Sequence, residues 1–193
     1  MAEALTGRSE KLTPAEIARL RGMSPLQIMR GLKIRPWKVS LLAYRGRLRL
    51  RSEMDRIQAF SGMPEVIKQL HADGHELYIM SSNSVQNIQP FLKRYGLSTT
   101  FIKVYGNVGV FSKGRVLKRL LRDNELQSSA TYYIGDEVRD IEAAKRAGLQ
   151  MIAVTWGYND NRILAAYQPT YLAAQPDDIL QVFATEPPPP GIL

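Results

Sequence analysis

The sequence predicts an α/β fold, with a helical segment over residues 1–61 and a parallel sheet wrapped by helices over residues 62–185. Two observations carry this reading. Four short apolar runs, at 76–80, 101–105, 130–134 and 151–155, alternate with segments of helical periodicity, and strands alternating with helices imply parallel pairing through right-handed crossovers. Before Gly62 nothing reads as a buried parallel strand. A length of 193 residues accommodates one well-cored domain with a small insert, and 45% hydrophobic with 23% charged residues is ordinary for a globular chain.

The elements follow in order. Leu12-Thr13-Pro14-Ala15-Glu16 is a helix start: Thr13 caps, Pro14 takes the first helical position, Glu16 completes a capping box, and Gly22 stops the helix. Ser24-Pro25 repeats the signal. A third helix starts near Pro36-Trp37 and continues toward Phe60, although Gly46 weakens it and Arg45, Arg47, Arg49 and Arg51 alternate with period two. Then come a helix over 63–72, a turn at Asp73-Gly74, a strand over 76–80, a helix over 85–95, a strand over 101–105, a helix over 115–122, a strand over 130–134, a helix over 140–147 and a strand over 151–155. The Pro-rich stretch over 186–193 reads as an extended, disordered tail.

The net charge of +8 is unevenly spread. Between Ile17 and Phe60 eleven Lys/Arg face only Glu53 and Asp55, so the excess lies in the first third. Such a patch attracts an anionic substrate or nucleic acid, or is simply a solvated helical face; no aromatic interleaving or nucleic-acid motif accompanies it, so nucleic acid is not the expected partner. The absence of cysteine excludes disulfides and cysteine-bound metal centres. Residues 1–10 hold no apolar signal core, and no run approaches a membrane span; a cytoplasmic protein is expected.

Three strand ends present chemistry. In Ile134-Gly135-Asp136-Glu137-Val138-Arg139-Asp140 an apolar strand ends at glycine and three acids follow within five residues, before Ile141, Ala144 and Gly148 recur at helical spacing. A parallel strand delivers this turn to the carboxyl edge of the sheet, where clustered carboxylates suit a hard cation such as Mg²⁺ or cap a helix N-terminus. Ser81, Ser82 and Asn83 follow an earlier strand and open a helix, offering a hydroxyl and backbone N–H groups to an anion or acting only as caps. Lys113 stands just before the next helix, either as a phosphate-neutralising point charge or as a surface lysine.

In this order the set resembles the haloacid dehalogenase-like (HAD) hydrolases, in their phosphoglycolate-phosphatase-like branch with a helical cap near the N-terminus. Leu77-Tyr78-Ile79-Met80-Ser81 resembles the family's second motif, Lys113 its third, and Gly135-Asp136-Glu137-Val138-Arg139-Asp140 its fourth. The resemblance implies a Rossmannoid parallel sheet and Mg²⁺-dependent hydrolysis of a small phosphorylated metabolite. It would make Ser81, with Ser82 and Asn83, the phosphate-binding loop and Lys113 the clamp between phosphate and nucleophile. Asp136 would be a metal ligand, Glu137 a less certain one, and Asp140 an organiser of the metal's waters or of Lys113. The basic segment would be the cap.

One motif of that family is absent. Its first strand, central in the sheet, ends in Asp-x-Asp and supplies the nucleophile and the general acid/base; here the only aspartate before Gly62 is Asp55, among charged residues. Losing a central strand of about five buried apolar side chains costs on the order of 8–15 kcal/mol, a typical domain's entire stability. The expectation is therefore a chain that starts late, inside the first cap helix, and is inactive as it stands. The alternative is a catalytically dead regulatory protein that holds an anion with its basic cap.

Overall fold

The computed structural model describes residues 13–31, 36–109 and 112–185. Lys33 and Arg35 of the basic segment, and the Pro-rich stretch read as a tail, fall outside them.

Three helices come first: α1 (Pro14–Arg21), α2 (Pro25–Gly31) and α3 (Pro36–Glu53). The start of α1 follows its sequence signal. Thr13 Oγ1 accepts from Glu16 N at 3.2 Å while a Glu16 carboxylate oxygen accepts from Thr13 N at 2.8 Å, and Gly22 ends the helix. α3 runs through Gly46 unbroken, so the period-two arginine pattern did not make a strand. Its Leu41, Tyr44 and Leu48 are exposed.

The remainder alternates: α4 (Met63–Ala72), β1 (Tyr78–Met80), α5 (Val85–Arg94), β2 (Lys103–Tyr105), α6 (Lys113–Asp123), a 3₁₀ turn (Ser128–Ala130), β3 (Tyr132–Gly135), α7 (Val138–Ala147), β4 (Gln150–Val154), α8 (Asn161–Ala166), β5 (Tyr171–Ala173) and α9 (Asp177–Thr185). All pairing is parallel, as alternation requires. Most boundaries shift by one or two residues from expectation, and two shifts touch the candidate site. Lys113 is the first residue of α6 rather than its predecessor. The 3₁₀ turn takes Ala130 out of the strand, which begins at Tyr132. α5 starts at Val85 as expected; its cap is Ser84, whose hydroxyl accepts from Asn87 N at 3.2 Å, and Ser81–Asn83 form the loop before it. The α8–β5–α9 segment was not foreseen individually.

The parallel strands form two sheets, β1-β2 and β3-β4-β5. β4 sends Met151 and Ala153 to one face, against Leu117 of α6, Ile141 and Ala144 of α7 and Leu164 of α8; Ile152 and Val154 go to the other, against Val66 and Leu70 of α4 and Ile179 and Val182 of α9. That is the period-two alternation of a strand buried on both sides. Ile88 and Leu92 of α5 cover β1 and β2 with Ile79 and Val104. Core clusters join the two sheets. Met80 and Tyr133 pack on the first face, Leu77 with Tyr132 and Ile134 on the second. Every residue of β1 and β3 is only half-buried, whereas four of the five in β4 are buried, and among the described residues β1 pairs with β2 alone and β3 with β4 alone. No helix among them is long and apolar enough to cross a membrane.

Candidate active site

The acidic turn leaves β3 at Gly135, where the sheet ends, and enters α7 at Val138. Asp136, Glu137 and Asp140 each place a carboxylate oxygen within 4.8 Å of the others. Close packing on glycine makes this possible. A Cβ on Gly135 would sit 2.7 Å from Asp140 Oδ2, and one on Gly157 would sit 2.2 Å from the Asp136 carboxylate, so both positions exclude any side chain.

Asp140 is almost completely buried, yet its carboxylate is fully engaged. Oδ1 receives the Lys113 ammonium in an ion pair and the Tyr133 hydroxyl at 2.9 Å, and Oδ2 accepts from Glu137 N at 3.2 Å. Helix capping and site chemistry therefore coexist in one residue. Lys113 reaches Asp140 from the first turn of α6, which packs closely on α7 where Gly114 meets the backbone of Ala143. It is no surface lysine: the residue is only 8% exposed.

Glu137 pairs with Arg139 at 2.5 Å. Burial works against the Arg139 charge, but the hydrogen bond and charge of Glu137, with the charge of Asp140, outweigh it and hold the guanidinium above its usual range. Burial likewise pushes the Tyr133 hydroxyl up, reinforced by the Asp140 charge, so it stays a neutral donor. Asp136 differs from its neighbours. Oδ2 accepts from Tyr158 N at 2.6 Å, and Oδ1 has no hydrogen-bond partner among the described residues. This hard oxygen, on a half-buried acid that clusters with half-buried Glu137 and buried Asp140, fits a Mg²⁺ ligand.

The structure thus brings Lys113, Asp136, Glu137 and Asp140 together. It does not join Ser81, Ser82 or Asn83 to them by any hydrogen bond or ion pair among the described residues. Ser81 Oγ accepts from Asn83 N at 3.1 Å. The Asn83 side-chain oxygen accepts from Ser84 N and from Asn87 Nδ2, each at 2.9 Å, while its Nδ2 donates to Met54 Sδ at 3.8 Å. Both Ser81 and Asn83 lie past the carboxyl end of β1, in the other sheet from the acids. Sequence reasoning gave no role to Tyr133, Arg139 or the loop Gly157-Tyr158-Asn159. The loop could have been found from its place after the strand ending at Val154.

A parallel α/β fold with a buried lysine–aspartate pair and clustered carboxylates past a strand end is of the doubly wound class, in which ligand sites sit at the carboxyl ends of strands. The chain belongs to the haloacid dehalogenase-like hydrolases, whose family profile matches residues 2–154. It is 39% identical over 166 residues to the phosphoglycolate phosphatase of Synechococcus elongatus, covering 86% of this chain and 78% of that protein. It is 30% identical over 142 residues to a 5'-nucleotidase of Pseudomonas aeruginosa, with 72% and 64% covered. With the phosphoglycolate phosphatase of Vibrio vulnificus it shares 28% identity and spans 53% of its length. In fold it is similar to a haloacid dehalogenase-like family protein of Streptococcus pneumoniae, with TM-score 0.73, 22% identity and 94% and 87% of the two chains covered. A predicted phosphatase from Clostridium acetobutylicum matches with TM-score 0.76 and 18% identity over 95% and 92%.

Proposed function

We propose that this chain carries the core and cap of a Mg²⁺-dependent phosphatase acting on a small phosphorylated metabolite of the phosphoglycolate class. The observation that carries the reading is the buried Lys113–Asp140 pair beside the free oxygen of Asp136. A lysine held rigidly by a buried carboxylate is a fixed positive charge, suited to stabilising negative charge on a transferring phosphoryl group. Asp136, with Glu137 and Asp140 around it, would hold Mg²⁺, which when bound neutralises phosphoryl oxygens. Ser81, Ser82 and Asn83 would meet the phosphate from the other sheet, and α1–α3 would form a basic cap over the opening. The name of the Synechococcus relative supports the substrate class.

The nucleophile is the part of this chemistry for which the described residues offer no candidate. We infer that a further strand ending in carboxylates completes the site by adding between β1 and β3. Support comes from the half-burial of both strands, the unpaired side of each among the described residues, and the core clusters that span the two sheets. Without that strand, Lys113 and the serine loop could hold phosphate but could not form an aspartyl-phosphate, so the chain alone would be inactive. Its behaviour would then be that of an anion-binding protein.

The test compares this chain with the same chain preceded in frame by an apolar strand ending in Asp-x-Asp, assaying phosphoglycolate hydrolysis with Mg²⁺. The extended form is expected to turn over, and Asp136→Asn in it to abolish turnover. Full activity in a folded, monomeric short chain would refute the strand inference; an inactive extended form would refute the phosphatase reading. An extended Asp136→Asn variant with undiminished activity would refute the metal assignment.

A further inference from the structure

Asn159 is completely buried, and the phosphatase reading gives it no task. Its amide is saturated with partners from two distant parts of the chain. Oδ1 accepts from Val138 N at 2.9 Å, at the start of α7, while Nδ2 donates to the carbonyls of Arg21 at 2.6 Å and Met23 at 3.3 Å, at the end of α1. Its own backbone N donates to the carbonyl of Asp136 at 3.1 Å. One side chain therefore bridges the first helix and the acidic turn.

Arg21 makes the reciprocal connection. Its Nη2 donates to the carbonyl of Gly157 at 2.7 Å and its Nε to the carbonyl of Tyr158 at 2.8 Å. The Gly157 carbonyl and the Tyr158 N–H belong to one peptide group, which is planar and rigid. On its oxygen side that group is gripped by Arg21, and on its nitrogen side it donates to Asp136 Oδ2 at 2.6 Å. Turning the plane weakens both bonds together. A cation at the carbonyl also polarises the N–H toward its acceptor. The loop passes so close to the acid that a Cβ added at Gly157 would sit 2.2 Å from the Asp136 carboxylate.

We propose that Arg21 and Asn159 form a latch through which the docking of α1 sets the orientation of the Asp136 carboxylate. Both are positioning residues. The contact makes the acidic turn sensitive to whether the first helical segment is seated on the core. Its consequence for a cation rests on the metal reading above; the mechanical coupling does not.

The experiment uses the full chain and Arg21→Met, which keeps the aliphatic stem and removes the guanidinium donors. The first readout is hydrogen exchange at Tyr158 N, Asn159 N and Val138 N; the second is Mn²⁺ affinity by calorimetry. R21M is expected to speed exchange at all three amides by about tenfold or more and to weaken Mn²⁺ about tenfold, the range in which outer partners of a ligand act. R21K, which restores a single charged donor, should recover part of both effects, and it carries the test alone if R21M fails to fold. Faster exchange confined to residues 14–24 overturns the latch. So does unchanged Mn²⁺ affinity in a variant that binds the ion. If the unaltered chain does not bind Mn²⁺ but R21M still loosens Tyr158 and Val138, the latch stands and the metal reading falls.

Discussion

Replacing Lys113 by methionine tests the centre of the site without reference to turnover. The lysine side chain is 10% exposed and that of Asp140 only 2%, so the substitution strands a carboxylate where water cannot reach it. Breaking a buried ion pair from one side costs about 3–5 kcal/mol. Asp140 keeps two donors, the Tyr133 hydroxyl and Glu137 N, which places the expected loss near the lower bound, about 3 kcal/mol. For a chain of this size that lowers Tm by about 6–12 °C. Adding Asp140→Asn removes the unpaired charge, so the double variant should be more stable than the sum of the single losses predicts, by more than about 0.5 kcal/mol. Urea denaturation of the four proteins measures this. A K113M variant within about 1 kcal/mol of the parent, or an additive double variant, would show that the lysine is not held by Asp140 in a water-excluded site.

Two further outcomes follow from the same geometry. Burial first, and the Asp140 charge second, raise the Tyr133 hydroxyl above its ordinary value of 10.0; a raised folded pKa gives stability that is complete below pH 10 and lost as pH rises toward the folded value. Stability measured from pH 8 upward should therefore fall above about pH 10, with Tyr78, pushed up to about 12 by burial and its bond to Glu76, contributing to the same fall. Tyr133→Phe should lose about 1.5–3 kcal/mol at pH 7, the range for a hydrogen bond to a charged group, and show a shallower alkaline decline; an equal decline in both proteins would argue against a buried neutral tyrosine. Gly157→Ala puts a methyl 2.2 Å from the Asp136 carboxylate, which must move. Destabilisation of about 1–3 kcal/mol with at least about tenfold weaker Mn²⁺ binding is expected, and calorimetry showing wild-type affinity would separate Asp136 from the cation.

The acidic turn and Lys113 were legible because each is local: an apolar strand, a glycine, and acids at helical spacing announce themselves within a few residues. Their roles were less so. Lys113 alone looks like any lysine near a helix start, and only the packing of α6 on α7 at Gly114 and Ala143 turns it toward Asp140 and away from water. Asn83 was legible by its place after a strand, but its partners were not: its side-chain oxygen accepts from Ser84 N and from Asn87 of the following helix.

By itself, then, the sequence determined the parallel α/β alternation, the capped first helix and the acids at a strand end, since periodicity, caps and turn residues act over fewer than about ten residues. It also showed that no Asp-x-Asp precedes Gly62. Tertiary structure decided the rest: that the strands divide between two sheets, that one carboxylate of the acidic turn is locked to a lysine while another keeps a free oxygen, and that Arg21 grips the peptide donating to Asp136 across 136 residues of chain. Such contacts have no local signature, because a buried amide such as that of Asn159 is satisfied only by groups the fold delivers from far away.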